Sequence, residues 1–254
     1  MGKISAAFGG RLARFLSGGR HVHSPGLPTP RAALTAALRP GDVLLVEGDS
    51  RIATAIKYLT QSTWSHAALF VGLGAPGAPQ GFVEADLSAG VRAVGIAEYD
   101  GYPTRICRPM GLGEGERRAL TAFAVARIGD RYDLRNVVDL LRYLLPTPPV
   151  PARWRRRMIA LGSGDPTRAI CSTLIAEAFQ SIDYPILPMV DYRDASDPGC
   201  PGCIKEVMSL RHHSLFTPRD FDVSPYFQIV KPTIEAGFDF RAVGWAKAGA
   251  DRPL

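Results

Sequence analysis

Between positions 43 and 108 the sequence repeats a pattern that restricts the fold: short apolar runs are ended by glycine, proline or polar turn residues. Runs of this length between turn signals are typical of buried β-strands. The turn sequence Arg39-Pro40-Gly41-Asp42 marks where the folded part begins. We therefore expect this half to form a compact β-sheet or partial barrel. The predicted strands are 43–46, 66–72, 81–85, 91–94 and 104–108.

The hydrophobic period becomes helical in the second half of the chain. Apolar spacing indicates one helix after Glu114 and another over 134–145, which Pro146 ends. A further helical pattern begins at Cys171. In the first half, Ser50 is placed to cap a short amphipathic helix. The rest of the C-terminal part is rich in loop residues until a late apolar run predicts a strand over 227–230. Strands combined with helices in this way indicate an α+β protein.

Composition excludes several classes of protein. The chain has 254 residues, of which 46% are hydrophobic, so it can bury a large core and is not intrinsically disordered. The uncharged stretch 61–83 is broken by glycines and prolines, so we expect no membrane-spanning helix. The net charge of +6 favours anionic surfaces without identifying one. Neither a phosphate-binding loop nor aromatic and basic alternation is found, and we expect no nucleic-acid partner.

Organisation along the chain predicts one folded domain with two flanking segments. We expect a basic, weakly structured leader over 1–38, a single domain over 39–232 and a tail over 233–254. The leader has the spacing of an amphipathic helix for a membrane surface, but its glycines fit a loosely packed segment equally well. Few cysteines and no export signal favour a cytoplasmic location, with peripheral contact at the inner membrane face as an extension. The oligomeric state stays open.

Cys171 is the first candidate for chemistry. It lies in the first turn of a predicted helix, where the positive end of the helix dipole favours the thiolate. A thiolate is the nucleophile of cysteine hydrolases. The alternative is an inert cysteine buried on an apolar helix face.

A thiol nucleophile needs an imidazole, and His66 is the best placed of the five histidines because it opens an apolar strand. Glu84 lies in a neighbouring apolar strand and is a candidate to orient that imidazole, with Asp86 as the fallback. A structural role for His66, as a hydrogen-bonded histidine, fits the sequence equally well. Glu84 is equally readable as an outward-facing residue of an edge strand.

Several motifs together carry a resemblance to a known family. They are Arg39-Pro40-Gly41-Asp42-Val43-Leu44, Ser65-His66-Ala67-Ala68-Leu69, Val83-Glu84-Ala85 with Gly90-Val91, Gly129-Asp130-Arg131-Tyr132-Asp133, Ile170-Cys171-Ser172-Thr173-Leu174-Ile175, and Leu215-Phe216-Thr217-Pro218-Arg219-Asp220-Phe221 with Ser224-Pro225-Tyr226-Phe227. In this order they resemble the YaeF/YiiX-like permuted papain-like amidases of the NlpC-like superfamily. The resemblance covers about residues 39 to 232.

The resemblance implies a circularly permuted papain-like fold, in which a nucleophile helix packs on a small antiparallel sheet. It implies Cys171 as nucleophile, His66 as general base and then acid, and Glu84 as the group that holds the imidazole. Tyr132 and Ser172 become candidate substrate-binding residues, although an aromatic packing role fits Tyr132 equally well. No cofactor is implied.

Three functions remain open at this point. The first is a cysteine amidase or peptidase that acts on a peptide, a cell-wall peptide or an N-acyl amino compound through a thioester. The second is a lipid acyltransferase or lipid hydrolase, because the lecithin retinol acyltransferase-like proteins share the order of histidine before cysteine. The basic leader and the arginines over 153–157 suit a lipid surface, although a solvated helix face also explains those arginines. The third is a non-catalytic binding module on the same fold.

Cys200 and Cys203 have the spacing of metal ligands, and His212 and His213 follow them. A structural zinc site is therefore a weak candidate. The alternatives are a disulfide between the two cysteines or two unlinked thiols.

Overall fold

A computed structural model describes residues 27–73, 80–86, 89–130, 170–194, 204–242 and 244. Several predictions fall outside these residues. They are the helix over 134–145, the substrate-binding candidate Tyr132, the basic cluster over 153–157, and the metal-ligand candidates Cys200 and Cys203.

The described strands are β1 (Val43–Val46), β2 (His66–Leu73), β3 (Gln80–Asp86), β4 (Gly90–Val94), β5 (Thr104–Pro109), β6 (Met189–Asp194), β7 (Ile204–Ser209) and β8 (Phe227–Val230). Six of them form one sheet in the order β4-β3-β2-β1-β5-β8, and every neighbouring pair is antiparallel. The strands β6 and β7 form a separate two-stranded ribbon. All the strands predicted from the sequence are confirmed, with bounds shifted by at most one residue.

The described α-helices are α1 (Arg31–Ala37), α2 (Arg51–Thr60), α3 (Glu114–Ala126), α4 (Ile170–Gln180), α5 (Pro218–Val223) and α6 (Pro232–Glu235). Short 3₁₀ helices occupy Ile96–Tyr99, His213–Leu215 and Phe240–Ala242. The predicted helices after Ser50, Glu114 and at Cys171 are confirmed, and the Ser50 hydroxyl caps α2 by accepting the Ala53 N–H at 3.1 Å. The α+β class is therefore confirmed, as six antiparallel strands packed against helices.

Helices cover both faces of the sheet. On one face, α3 and α4 pack on β1, β2 and β3 in the first core, whose members include Leu45, Leu69, Leu120, Leu174 and Phe179. On the other face, the second core contains Leu34 of α1 and Tyr99 of the first 3₁₀ helix. Successive strand residues point to opposite faces. Consecutive residues of β2 therefore point into different cores, and the same holds along β3.

The structure contains elements that were not predicted from the sequence. Helix α1 lies within the segment 1–38, and it forms because Leu34 and Leu38 are buried in the second core. The ribbon β6–β7 lies in the part expected to be loop, and its apolar residues are largely exposed, so no alternation of buried and exposed positions marked it. Helix α5 begins with a capping box between Thr217 and Asp220.

Among the described helices, none combines the length and the apolar character needed to cross a membrane.

Candidate active site

The candidate site lies where the regular pairing of two neighbouring strands ends. The paired register of β2 and β3 ends at Leu69 and Val83, although β2 extends back to His66 and β3 continues to Asp86. His66 and Glu84 lie beyond the last pair. Helix α4 packs against both strands.

His66 and Glu84 are in direct contact. The Nε2 atom of His66 lies 2.6 Å from Oε2 of Glu84. The carboxylate is 3% exposed, whereas the His66 side chain is 28% exposed. A buried carboxylate beside an imidazole accepts the ring N–H and fixes both the tautomer and the orientation of the ring. The imidazole is thus held from inside the protein while part of it faces solvent.

Cys171 approaches the same imidazole from the opposite core. It is the second residue of α4 and is 5% exposed. Its thiol is hydrogen-bonded to the His66 side chain and accepts the backbone N–H of Ala67. Because Nε2 of His66 is engaged with Glu84, Nδ1 is the ring nitrogen left for the thiol. The Ser172 hydroxyl lies 3.9 Å from Sγ of Cys171.

The electrostatics of this contact favour a charged pair. Burial raises the pKa of the Cys171 thiol, but hydrogen bonding and charge attraction from His66, with the Ala67 N–H and Ser172, outweigh burial and leave that pKa lowered. Burial lowers the pKa of His66, but Cys171 and Glu84 outweigh it and raise the pKa to about 10. A thiolate and an imidazolium therefore stabilise each other near neutral pH. This arrangement can perform nucleophilic attack and proton transfer at one position.

Cys107 shows what burial does without such partners. It is fully buried in β5, and burial, with the nearby Asp222 charge, raises the pKa of its thiol well above the ordinary value. The two free cysteines of the described residues are thus both buried, yet their pKa values shift in opposite directions. The difference is due to the partners of Cys171.

Glu84 has two further partners that the sequence analysis missed. The Tyr99 hydroxyl donates to Oε2 at 2.7 Å, and Arg92 contacts Oε1 through Nε at 2.9 Å and through Nη2 at 2.7 Å. Burial raises the pKa of Glu84, but His66, Tyr99 and Arg92 outweigh it and lower the pKa to about 2. The β3–β4 register places Arg92 directly opposite Glu84, so pairing the two predicted strands could have found it. Tyr99 lies in a 3₁₀ helix with no sequence signal.

The remaining predicted residues are not all at this site. Ser172 is buried beside Cys171. Asp86, the fallback for Glu84, accepts the N–H of Ala89 at 2.8 Å. His212 and His213 stack on each other at 4.0 Å, and Nε2 of His213 lies 3.2 Å from Glu177. No group of three or more His, Cys, Asp and Glu side chains within the described residues is arranged to hold a metal ion.

Comparisons with known proteins identify no family for this chain. The sequence matches no protein-family model, and no curated protein matches it. Among solved structures, a weak neighbour is the metalloprotein YiiX from Escherichia coli O157:H7, with 14% sequence identity and a TM-score of 0.42. The match covers 76% of this chain and 96% of YiiX.

Proposed function

We propose that this protein is a cysteine hydrolase of the amidase or peptidase type. In this proposal Cys171 is the nucleophile, His66 the general base and acid, and Glu84 the residue that orients His66. The observation that carries the proposal is the placement of one imidazole between a buried carboxylate, 2.6 Å from Nε2, and a thiol whose pKa is lowered. The substrate class is a peptide, a cell-wall peptide or an N-acyl amino compound.

The reaction begins with transfer of the Cys171 proton to Nδ1 of His66. The thiolate then attacks the amide carbon, and the carbonyl π electrons move onto oxygen to give a tetrahedral oxyanion. When the oxyanion collapses, the carbon–nitrogen bond breaks, and the imidazolium gives its proton to the departing amine. A thioester on Cys171 remains. Water, deprotonated by neutral His66, hydrolyses the thioester to a carboxylic acid and restores the thiol.

The start of α4 supports the charged stages of this reaction. The first N–H groups of an α-helix have no intrahelical acceptor. Cys171 is in the first turn of an 11-residue helix, so the backbone N–H groups there are candidate donors to the oxyanion. Glu84 stays ionised throughout, because its pKa of about 2 lies far below that of the imidazolium.

As part of this proposal, we assign the protein a permuted papain-like fold. The elements expected of it are a helix with the nucleophile and an antiparallel sheet with the base and its orienter, and α4 packs over β2 and β3 in this way. His66 precedes Cys171 by 105 positions (171 − 66) in the sequence, which is the order that permutation produces.

The experiment that tests the function measures the rate of iodoacetamide labelling at Cys171 against pH, read by peptide mass spectrometry. We expect Cys171 of the wild type to react as a thiolate at pH values well below roughly 8.5, which is the pKa of a free cysteine. His66→Ala removes the partner that lowers the thiol pKa, so its reaction should begin at much higher pH.

Slow labelling of Cys171 at neutral pH in both proteins would contradict the hydrolase proposal. It would favour the non-catalytic binding module, for which Cys171→Ala should leave binding intact. Cys107 provides an internal reference in each sample, since its buried thiol has a raised pKa and should remain unlabelled in the folded protein.

A second candidate function is acyl transfer or hydrolysis on lipids. The net charge of +6 favours it, because cationic proteins concentrate at anionic membrane surfaces. The thiol chemistry is the same in both candidates, so labelling of Cys171 does not separate them. Binding to vesicles does.

A further inference from the structure

We propose that Tyr99 is a positioning residue of this site: its hydroxyl holds Oε2 of Glu84, takes up part of the carboxylate charge, and so sets the pH range in which the Cys171 thiolate and the His66 imidazolium coexist. This inference rests on the proposed function. It adds a residue that neither touches the thiol nor follows from the sequence motifs.

The geometry gives Oε2 of Glu84 two donors at once. His66 Nε2 lies at 2.6 Å and the Tyr99 hydroxyl at 2.7 Å from the same oxygen. The other oxygen, Oε1, is occupied by Arg92. Rotation of a carboxylate about its last torsion is intrinsically soft. With a donor fixed at each oxygen, the plane of Glu84 is set by Tyr99 and Arg92 as well as by the imidazole that it orients.

Tyr99 itself is buried and packed against its neighbours. Its side chain is 5% exposed and packs in the second core, where its ring stands edge-on to Phe82 at 5.0 Å and 86°. Phe82 and Glu84 lie on the same face of β3. The Tyr99 ring therefore packs against β3, the strand that carries the Glu84 carboxylate. Burial, with the Glu84 charge, raises the pKa of Tyr99 well above its ordinary value, so the hydroxyl keeps its proton and acts as a donor.

The Tyr99 hydroxyl shifts the proton affinities of Glu84, His66 and Cys171 in the same direction. Its positive hydrogen end faces Glu84, which makes the local potential less negative. Removing it makes the potential more negative and raises the proton affinity of Glu84, His66 and Cys171 together. The other charged groups that face Glu84 are His66 on β2 and Arg92 on β4, and Glu98 reaches it through Arg92 at 3.0 Å. Deleting the Tyr99 hydroxyl leaves the His66, Arg92 and Glu98 side chains themselves unchanged, so any shift in titration is due to the lost hydroxyl.

The test is Tyr99→Phe, which keeps the ring against Phe82 and removes only the oxygen. The rate of iodoacetamide labelling at Cys171 is measured against pH in the full chain. We expect the acidic limb to move up by about 1 pH unit, so that labelling on that limb is about tenfold slower, while the plateau near neutral pH is unchanged. The pKa of the His66 ring, followed by nitrogen NMR, should rise in the same variant.

Tyr102→Phe is the matched control. Tyr102 lies three positions further along, packs partly buried against the same core, and contributes none of the hydrogen bonds to Glu84 described above. Its labelling profile should coincide with that of wild type.

Two results would separate the inference from the function on which it rests. If Tyr99→Phe coincides with wild type in both labelling and NMR while His66→Ala still shifts the thiol, the role of Tyr99 is overturned and the thiol–imidazole couple stands. If wild type shows no thiolate below the ordinary range, the proposed function fails and the role of Tyr99 fails with it. The NMR measurement reads His66 directly in the folded protein, so a loss of stability in Tyr99→Phe does not obscure the outcome.

Discussion

Glu84 links the chemistry of the site to the stability of the fold. Its carboxylate is 3% exposed and binds three side chains, His66, Arg92 and Tyr99. The lowering of its pKa from 4.5 to about 2 corresponds to a stabilisation on the order of 3 kcal/mol. A carboxyl with a lowered pKa contributes this stability above its unfolded pKa and loses it as pH falls through the folded one. The window of loss is therefore pH 4.5 to about 2.

We expect Glu84→Gln to lower the free energy of unfolding by a few kcal/mol near pH 6, because Arg92 and His66 lose their buried countercharge. The difference between wild type and variant should shrink as pH falls from 4.5 to about 2, where wild-type Glu84 also becomes neutral. Urea unfolding of both proteins across this range measures it. A difference that stays constant with pH would contradict the ionised, buried state of Glu84.

At the scale of elements, the hairpin of β3 and β4 is what places Arg92 opposite Glu84. Gly81, near the start of β3, is required for the close approach of these strands. Its φ is +104°, and a Cβ added there would lie 2.5 Å from the carbonyl oxygen of Val94. Both the backbone conformation and the contact exclude a side chain.

We expect Gly81→Ala to destabilise the protein by about 2 to 4 kcal/mol, since it adds a clash with backbone to a strained conformation. Gly111→Ala is the matched variant: its φ is +77° and nothing lies within 4 Å of the added Cβ. That variant should cost only about 1 kcal/mol. The comparison is made by urea unfolding. Equal losses in the two variants would show that the approach to Val94 contributes nothing.

The elements that could be predicted differ physically from those that could not. The strands from Val43 to Arg108 were predictable because each is a short, buried apolar run between turn residues. The ribbon β6–β7 was not, because Val190, Tyr192 and Met208 share one of its faces and remain exposed. Prediction of strands from a hydrophobic pattern depends on the burial of apolar side chains. The apolar side chains of this ribbon are largely exposed. Helix α5 did carry a signal, since Thr217, Pro218 and Asp220 form a capping box with proline in the first turn.

The candidate site, like the fold, was predictable from the sequence only in part. Cys171 and His66 could be found because a reactive thiol and an imidazole restrict the choice to few residues. Arg92 and Tyr99 could not be ranked, because arginine and tyrosine are common and their roles depend on register and on a 3₁₀ turn.

For the whole molecule, charge is the property that separates the two enzymatic candidates. A chain with a net charge of +6 should bind anionic phospholipid vesicles at low salt and detach as salt screens the attraction. Sedimentation with vesicles of phosphatidylserine and phosphatidylcholine, compared with phosphatidylcholine alone, measures this binding. Salt-dependent binding to the anionic vesicles favours lipid chemistry. Failure to bind either vesicle counts against it and leaves the amidase.

The two halves of the site come from different cores. The thiol is carried by α4, which packs in the first core, whereas Glu84 and Tyr99 face the second core across the sheet. The hydrogen bond between Cys171 and His66 therefore exists only when both cores are assembled. A chain in which α4 has come away from the sheet keeps the histidine–glutamate pair but carries a cysteine of ordinary acidity. The lowered pKa of the Cys171 thiol is therefore a property of the fully assembled fold, and incompletely folded copies of the protein would lack it.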